Sequence, residues 1–359
     1  LRLFRLSAVG DHSNRIGEMI MNERYSRQTL FHPIGDRGQE KIRSKHVLLI
    51  GAGALGSANA EFLTRAGIGK LTVVDRDYVE ESNLQRQQLY TEKDVRDKLP
   101  KAEAAKMHCN DINREVEIEA LIMDGTAQSL EPLLEGVSLI IDATDNFETR
   151  MVINDLSQKH RIPWIYGACV GSVGMTFTII PGVTPCLNCL LRSIPIQGMT
   201  CDTGGIISPA VQVVVAHQAA EALKILVEDF DAVRQGFTTF DLWRNQYQSM
   251  KVGKAKKPDC LSCGDAPTYP FLTPENATKT TVLCGRDTVQ VRPPKPRRLQ
   301  LDKLGNDLNG SGYVVKSNPF LLSVEKEGER MVIFQDGRAL IHGTKDMSHA
   351  KAMYQRILG

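Results

Sequence analysis

His46 to Ile50 (HVLLI) is a continuous run that breaks directly into Gly51-Ala52-Gly53-Ala54-Leu55-Gly56. A short run with almost no polar face suits a strand buried on both sides of a parallel sheet. The glycines after it permit a tight turn into a helix, predicted from about Leu55 to Ala66 and ended by Gly67 and Gly69. Further strands are expected at Leu71–Val74, Val116–Ile122, Val137–Ile141, Trp164–Ala168 and Met175–Ile180. Strands separated by helices predict an α/β, Rossmann-like, doubly wound sheet that is mostly parallel. A long, largely buried helix is expected from Ser208 to about Val227, with Ser208 as its cap and Pro209 at its first position.

Composition narrows what such a fold does. The chain has 359 residues, room for about two domains. Lys and Arg number 44 against 42 Asp and Glu, so no broad field favours nucleic acid or a membrane surface, and neither is an expected partner. The uncharged stretch from Ile162 to Leu191 is long enough to span a bilayer, but its prolines and glycines make it buried sheet. Residues 1–20 lack the apolar core of a signal peptide and are expected to be a disordered leader, with Met19 or Met21 as a natural start. The expected compartment is the cytoplasm. Residues 21–269 read as the main domain and 270–359 as a small α+β module. In it, the proline-rich 291–298 forms a linker, and strands at Phe320–Val324, Met331–Phe334 and Ala339–His342 precede a helix whose face carries Ala350, Met353, Tyr354, Ile357 and Leu358.

Several motifs carry chemistry. The glycines Gly51, Gly53 and Gly56 open a helix whose N-terminus offers N–H groups to a phosphate, and Asp75, 19 residues after Gly56, stands where an acid meets a ribose hydroxyl. A glycine turn needed only for packing is the alternative, and NAD shares the fingerprint. Asn83-Leu84-Gln85-Arg86-Gln87 adds a polar, cationic stretch, and Lys101 follows Pro100 in a helix's first turn, where a cation opposes the helix dipole at a cost of about 0.3–1 kcal/mol; such an adverse charge suggests a task toward a polyphosphate, with a solvated surface lysine as the alternative. Asp142-Ala143-Thr144-Asp145-Asn146 ends the fourth strand and could hold Mg²⁺, or Asp145 or Asn146 could simply cap the next helix. Cys186-x-x-Cys189 and Cys260-x-x-Cys263, with 70 residues between them, offer four thiolates to a structural Zn²⁺, with redox pairs or disulfides as the alternative. Cys201, beside Gly204 and Gly205, is a candidate nucleophile or persulfide acceptor, or an inert thiol; Cys109, Cys169 and Cys284 read as buried fillers. A nucleotide cradle with cations and a carboxylate pair suggests nucleotidyl transfer, and a C-terminal carboxylate, with a pKa of about 3.5, would attack ATP without a general base.

Arg24-Tyr25-Ser26-Arg27-Gln28, GAGALG, Asp75, NLQRQ, Pro100-Lys101, DATDN and both cysteine pairs occur in one order over about residues 21–264. In this the chain resembles the ubiquitin-activating-like adenylyltransferases of the ThiF and MoeB group. The resemblance implies a sheet that is mixed overall, a homodimer, and ATP-dependent adenylation of the Gly-Gly end of a ubiquitin-fold sulfur carrier. By the same likeness Arg27 would reach the neighbouring subunit's ATP. Asp75 would hold the ribose, Asn83, Arg86 and Lys101 the phosphates, and Asp145 the Mg²⁺. The stretch around Cys201 and the extra C-terminal module are most similar to the thiazole-pathway branch, which uses a ThiS-like carrier and a persulfide donor such as a cysteine desulfurase. In some members a cysteine at the Cys201 position links covalently to the carrier. The molybdopterin-pathway branch, an NAD-dependent oxidoreductase and a non-catalytic carrier scaffold are the alternatives. Residues 270–359 are expected to help dock the carrier or sulfur donor.

Overall fold

The computed structural model describes residues 23–192, 204–273, 280–282, 287–293 and 298–358. Cys201, Cys284 and the leader therefore lie outside the described residues. Two sheets organise the chain. The first has eight strands in the order β3-β2-β1-β4-β5-β6-β7-β8. These are β1 His46–Ile50, β2 Lys70–Asp75, β3 Glu117–Ile122, β4 Val137–Asp142, β5 Trp164–Val170, β6 Val173–Ile179, β7 Gly236–Asp241 and β8 Gln246–Lys251. Pairing from β3 through β5 is parallel and from β5 through β8 antiparallel, so the sheet is mixed.

Alternate residues of β1 serve opposite cores. Val47 and Leu49 pack with helices α2 (Ala54–Ala66), α3 (Lys101–Ile112) and α5 (Ser208–Leu226), and with Ile42 of α1 (Gly35–Ser44). Leu48 and Ile50 pack with α4 (Phe147–His160) on the other face, beside Trp164, Tyr166 and Phe177. The uncharged stretch supplies β5 and β6, as expected, but ends in an exposed turn and the short helix Leu187–Leu191, and among the described residues no helix is long and apolar enough to cross a membrane. Ser208 is the first residue of α5 and not its cap; Ile207 holds that position, and no side chain caps the end. Strands β7 and β8 are additions to the sequence expectation.

The second sheet is antiparallel, in the order β11-β12-β13-β14-β10-β9. Its strands are β9 Thr280–Val282, β10 Thr288–Val291, β11 Val314–Ser317, β12 Leu321–Lys326, β13 Glu329–Phe334 and β14 Ala339–His342. Val291, assigned to the linker from composition, instead ends β10, and Arg292 is an ion-pair partner. One face of this sheet packs on α6 (Leu301–Gly310) and α7 (Met347–Leu358), using Ala350, Met353, Tyr354 and Leu358 as expected. The other face, with Leu321, Val332, Phe334 and Leu340, packs on Tyr78 and Ile122 of the first unit. Residues 270–272 belong by contact to the first unit, where Phe271 and Leu272 pack beneath α4.

Candidate active site

In an open α/β sheet, ligands collect outside the carboxyl ends of the strands. Four segments meet there, after β1, β2 and β4 and at the start of α3.

The glycine loop is fixed sterically. Gly51 has φ +94°, which suits glycine, and its N–H donates to the Val74 carbonyl at 2.8 Å. A Cβ on Gly56 would lie 1.9 Å from the Gly51 carbonyl oxygen, so this position is closed to any side chain. Gly53, at the N-cap of α2, differs: a Cβ there would meet only Gln87 Nε2, at 3.9 Å. The space beside Gly53, with the unpaired N–H groups of the helix start, suits a phosphate.

Asp75 holds this loop from the side. Its Oδ2 accepts the Ala52 N–H at 2.6 Å and its Oδ1 the Asp77 N–H at 2.7 Å. Burial raises its carboxyl above the ordinary range, against the pull of Lys101. Lys101 is only 4% exposed and its Nζ lies 3.6 Å from Asp77 Oδ2. Its position is set by backbone: the Lys101 N–H donates to the Asp77 carbonyl at 2.9 Å, and Tyr78 bridges Pro100. Tyr90 ties both sides together, its hydroxyl lying 2.7 Å from the Ala52 carbonyl and 3.1 Å from that of Lys101.

The NLQRQ segment lies against the same loop. Asn83 is buried in its own turn, its Oδ1 accepting the Glu80 N–H at 3.1 Å. Arg86 is half-buried, with Nη1 donating to the Ser82 carbonyl at 2.9 Å, which leaves its other guanidinium hydrogens for a ligand. Gln87, buried over Gly53, adds an unbonded Oε1.

After β4 the two acids divide. Asp142 is fully buried: it accepts the Thr144 N–H and hydroxyl at 2.9 and 2.7 Å and pairs with Arg150 Nε at 3.0 Å. Burial pushes its carboxyl up, opposed chiefly by Arg150. Asp142 therefore builds the loop. Asn146 caps α4, accepting the Thr149 N–H at 2.8 Å. Asp145 alone is exposed. Burial would lower the Arg76 pKa, but Asp77, Asp124 and Asp145 outweigh it and keep that guanidinium charged. One accessible carboxylate suits Mg²⁺, which keeps waters and phosphate oxygens as its other ligands.

Arg27 is not brought to this cluster. The helical residues 23–29 pack at the far end of α2, where Gln28 Nε2 donates to the Ala66 carbonyl at 3.0 Å and the Tyr25 ring covers Gly67. The 13 residues of α2 put about 20 Å between that point and Gly53. Arg27 is exposed there, next to Leu30 and Phe31, which are 72% and 61% exposed.

Cys186, Cys189, Cys260 and Cys263 converge behind α4. Their sulfurs all lie within 4.8 Å of one another, with Cys186–Cys260 at 3.6 Å and Cys189–Cys263 at 3.5 Å, and none of the four is in a disulfide. A tetrahedral zinc with Zn–S of about 2.3 Å requires sulfurs about 3.8 Å apart. The cluster could hold such an ion, joining the Leu187–Leu191 helix to the loop before Gly264.

Arg76, Gln87, Tyr90 and Arg150 are the site residues that motif reading missed. Gln87 stood within a quoted motif; the others act through partners that only the fold makes near.

The ThiF family model matches residues 25–262. The chain is 50% identical over 340 residues to the sulfur carrier protein ThiS adenylyltransferase of Bacillus subtilis, covering 94% of this chain and all of that one. A match of that extent includes most of the second sheet. It is 32% identical to the molybdopterin-synthase adenylyltransferase of Salmonella typhimurium, over 67% of this chain and 96% of that protein. Among solved structures, MccB of E. coli superposes with a TM-score of 0.59 at 22% identity, over 68% of this chain and 74% of that one, a likeness of fold.

Proposed function

This chain belongs to the ThiF family, and from that premise we propose that it adenylates the C-terminal glycine carboxylate of a ThiS-like, ubiquitin-fold sulfur carrier for thiamine thiazole biosynthesis. The observation that carries this reading is the buried Lys101, held beside Asp77 and Asp75 at the glycine loop. A buried cation at this point serves a polyphosphate; hydride transfer has no use for it.

ATP is the nucleotide substrate. Its phosphates would lie along the open side of Gly53, with Arg86, Lys101 and Asn83 toward them and Asp75 toward the ribose. Mg²⁺, when bound at Asp145, neutralises phosphate charge. The carrier's carboxylate oxygen bonds to the α-phosphorus as the α–β phosphoanhydride bond breaks, and pyrophosphate leaves with that electron pair. The carboxylate is ionised at neutral pH, so no general base is required. Positioning and charge neutralisation do the remainder.

Sulfur then comes from a persulfide donor such as a cysteine desulfurase. The terminal persulfide sulfur displaces AMP from the carrier, and reductive cleavage by a thiol releases the thiocarboxylate. Cys201 is the proposed residue for a covalent link at this stage. The chain works as a homodimer, in which Arg27 crosses to the partner's nucleotide; its distance from its own glycine loop and the exposed Leu30 and Phe31 support this. Zn²⁺ at the four cysteines is structural. The six described cysteines lie outside any disulfide, which suits a reducing compartment, the cytoplasm.

Pyrophosphate release tests the proposal. It should require ATP, Mg²⁺ and a carrier ending in Gly-Gly, and should vanish with a carrier lacking its final glycine. Release that ignores the carrier's end would contradict it.

A further inference from the structure

We infer that the second sheet is a positioning element of the nucleotide site, acting through Arg338 and Asp124 on the Arg76–Asp77 segment. This inference rests on the adenylyltransferase reading of that site.

The path is continuous. Asp124 lies just past β3, at the ligand side of the first sheet. Three groups of the second unit hold it: Arg292 Nε at 2.8 Å, Gln290 Nε2 at 2.9 Å and Arg338 Nε at 3.8 Å. Its other oxygen pairs with Arg76 Nη1 at 3.2 Å. Arg338, 1% exposed and stacked on Phe334, also donates from Nη1 to the Arg76 carbonyl at 2.8 Å. Arg76 is thus gripped at both its backbone and its guanidinium. The next residue, Asp77, donates its N–H to Asp75 and accepts the Lys101 N–H, with its carboxylate 3.6 Å from Lys101 Nζ. The second sheet's grip on Arg76 is therefore one position from Asp75, proposed for the ribose, and one from Asp77, which contacts Lys101, proposed for the phosphates.

Tyr78, whose hydroxyl bonds Arg330 and His342, belongs to the same gripped segment, whereas the contacts at Lys98 and Asn318 have no such reach. Asn318 Nδ2 donates to the carbonyls of Asp97 and Lys98 at 3.1 and 2.9 Å, and Lys98 Nζ to Ser323 Oγ at 2.8 Å. These contacts attach the sheet without touching Arg76 or Asp77. The distinction makes a positioning role separable from simple attachment. It also departs from the carrier-docking expectation, because nucleotide affinity and not carrier affinity should respond.

The test is calorimetric binding of ATP with Mg²⁺ to the full chain, which needs no carrier. Arg338→Ala and the less buried Arg292→Ala should weaken ATP binding about tenfold or more, the scale of losing one charge-assisted hydrogen bond or close ion pair. Arg338→Lys should recover part of the loss. Asn318→Ala should lower the melting temperature and leave ATP affinity within about twofold of the parent. If the parent binds ATP and both arginine variants bind it equally well, the inference is overturned while the activity stands. It is overturned equally if Asn318→Ala weakens ATP as much as they do. If the parent itself binds no ATP, the underlying reading fails and takes the inference with it.

Discussion

Arg338 Nη1 donates to the backbone oxygen of Arg76 at 2.8 Å, joining residues 262 positions apart. That bond closes the second sheet onto the strand end that also carries Asp75. It places the C-terminal unit against the glycine-loop side of the first sheet, with Phe334 and Leu340 packed on Tyr78.

Two glycines of the loop should separate by experiment. Gly56→Ala pushes a Cβ to 1.9 Å from the Gly51 oxygen and should destabilise the fold by about 1–3 kcal/mol or more. Gly53→Ala meets nothing closer than 3.9 Å and should fold normally while weakening ATP binding. Thermal melts alongside ATP titrations check both. Equal stability losses would mean that the space at Gly53 has no ligand to hold.

The two aspartates after β4 should behave oppositely. Asp142→Ala strips the partner from buried Arg150 and should cost about 3–5 kcal/mol. Asp145→Ala should leave the melting temperature within a few degrees and abolish carrier-dependent pyrophosphate release. An active Asp145→Ala enzyme would remove that carboxylate from the mechanism.

Zinc content and stability should fall together. Metal analysis of the full chain is expected to find one zinc per chain. Cys260→Ser, which removes one of four converging sulfurs, should release it and lower the melting temperature, because a metal held at such a cluster contributes its binding free energy to folding. A stable, metal-free parent protein would refute a structural ion.

Acid should loosen the joint between the sheets. Burial alone would raise the Asp124 carboxyl, but Arg338, Arg76 and Arg292 overcome it and hold its pKa below the ordinary value of 3.8. A depressed carboxylate contributes stability that is present above the ordinary pKa and lost as pH falls through the folded one. Melting curves from about pH 7 down to pH 3 should steepen in loss below about pH 4. Asp124→Asn should flatten that acid limb; an unchanged limb would acquit this group.

Much of this was legible before folding, where burial writes a pattern into sequence. HVLLI serves two cores at once and so carries no polar alternation, and Gly56 is dictated by the Gly51 carbonyl five residues away, although Gly51 itself answers to its positive φ and to the distant Ala143 carbonyl. The paired cysteines declare themselves by spacing alone. Strand β8 does not: five of the six residues of QYQSMK are exposed, so nothing in it alternates. Strands β9 and β11 are too short to show a period. Proline-rich composition around residue 294 hid Val291 and Arg292. Ser208 had the chemistry of a cap but lies inside the helix. In the site, the split between Asp142 and Asp145 depended on Arg150, whose guanidinium reaches back eight positions. Tyr90 matters only because the fold sets its hydroxyl on Ala52, and no local signal carries that.

The most direct measurement is ATP–pyrophosphate exchange by the full chain, offered a ThiS-like carrier, a molybdopterin-pathway carrier, or neither. Exchange with the ThiS-like carrier, absent without any carrier and lost in Arg86→Ala, is the predicted result. Exchange with the molybdopterin-pathway carrier alone would move the enzyme to the other branch. Absence of exchange with either carrier would contradict adenylation itself.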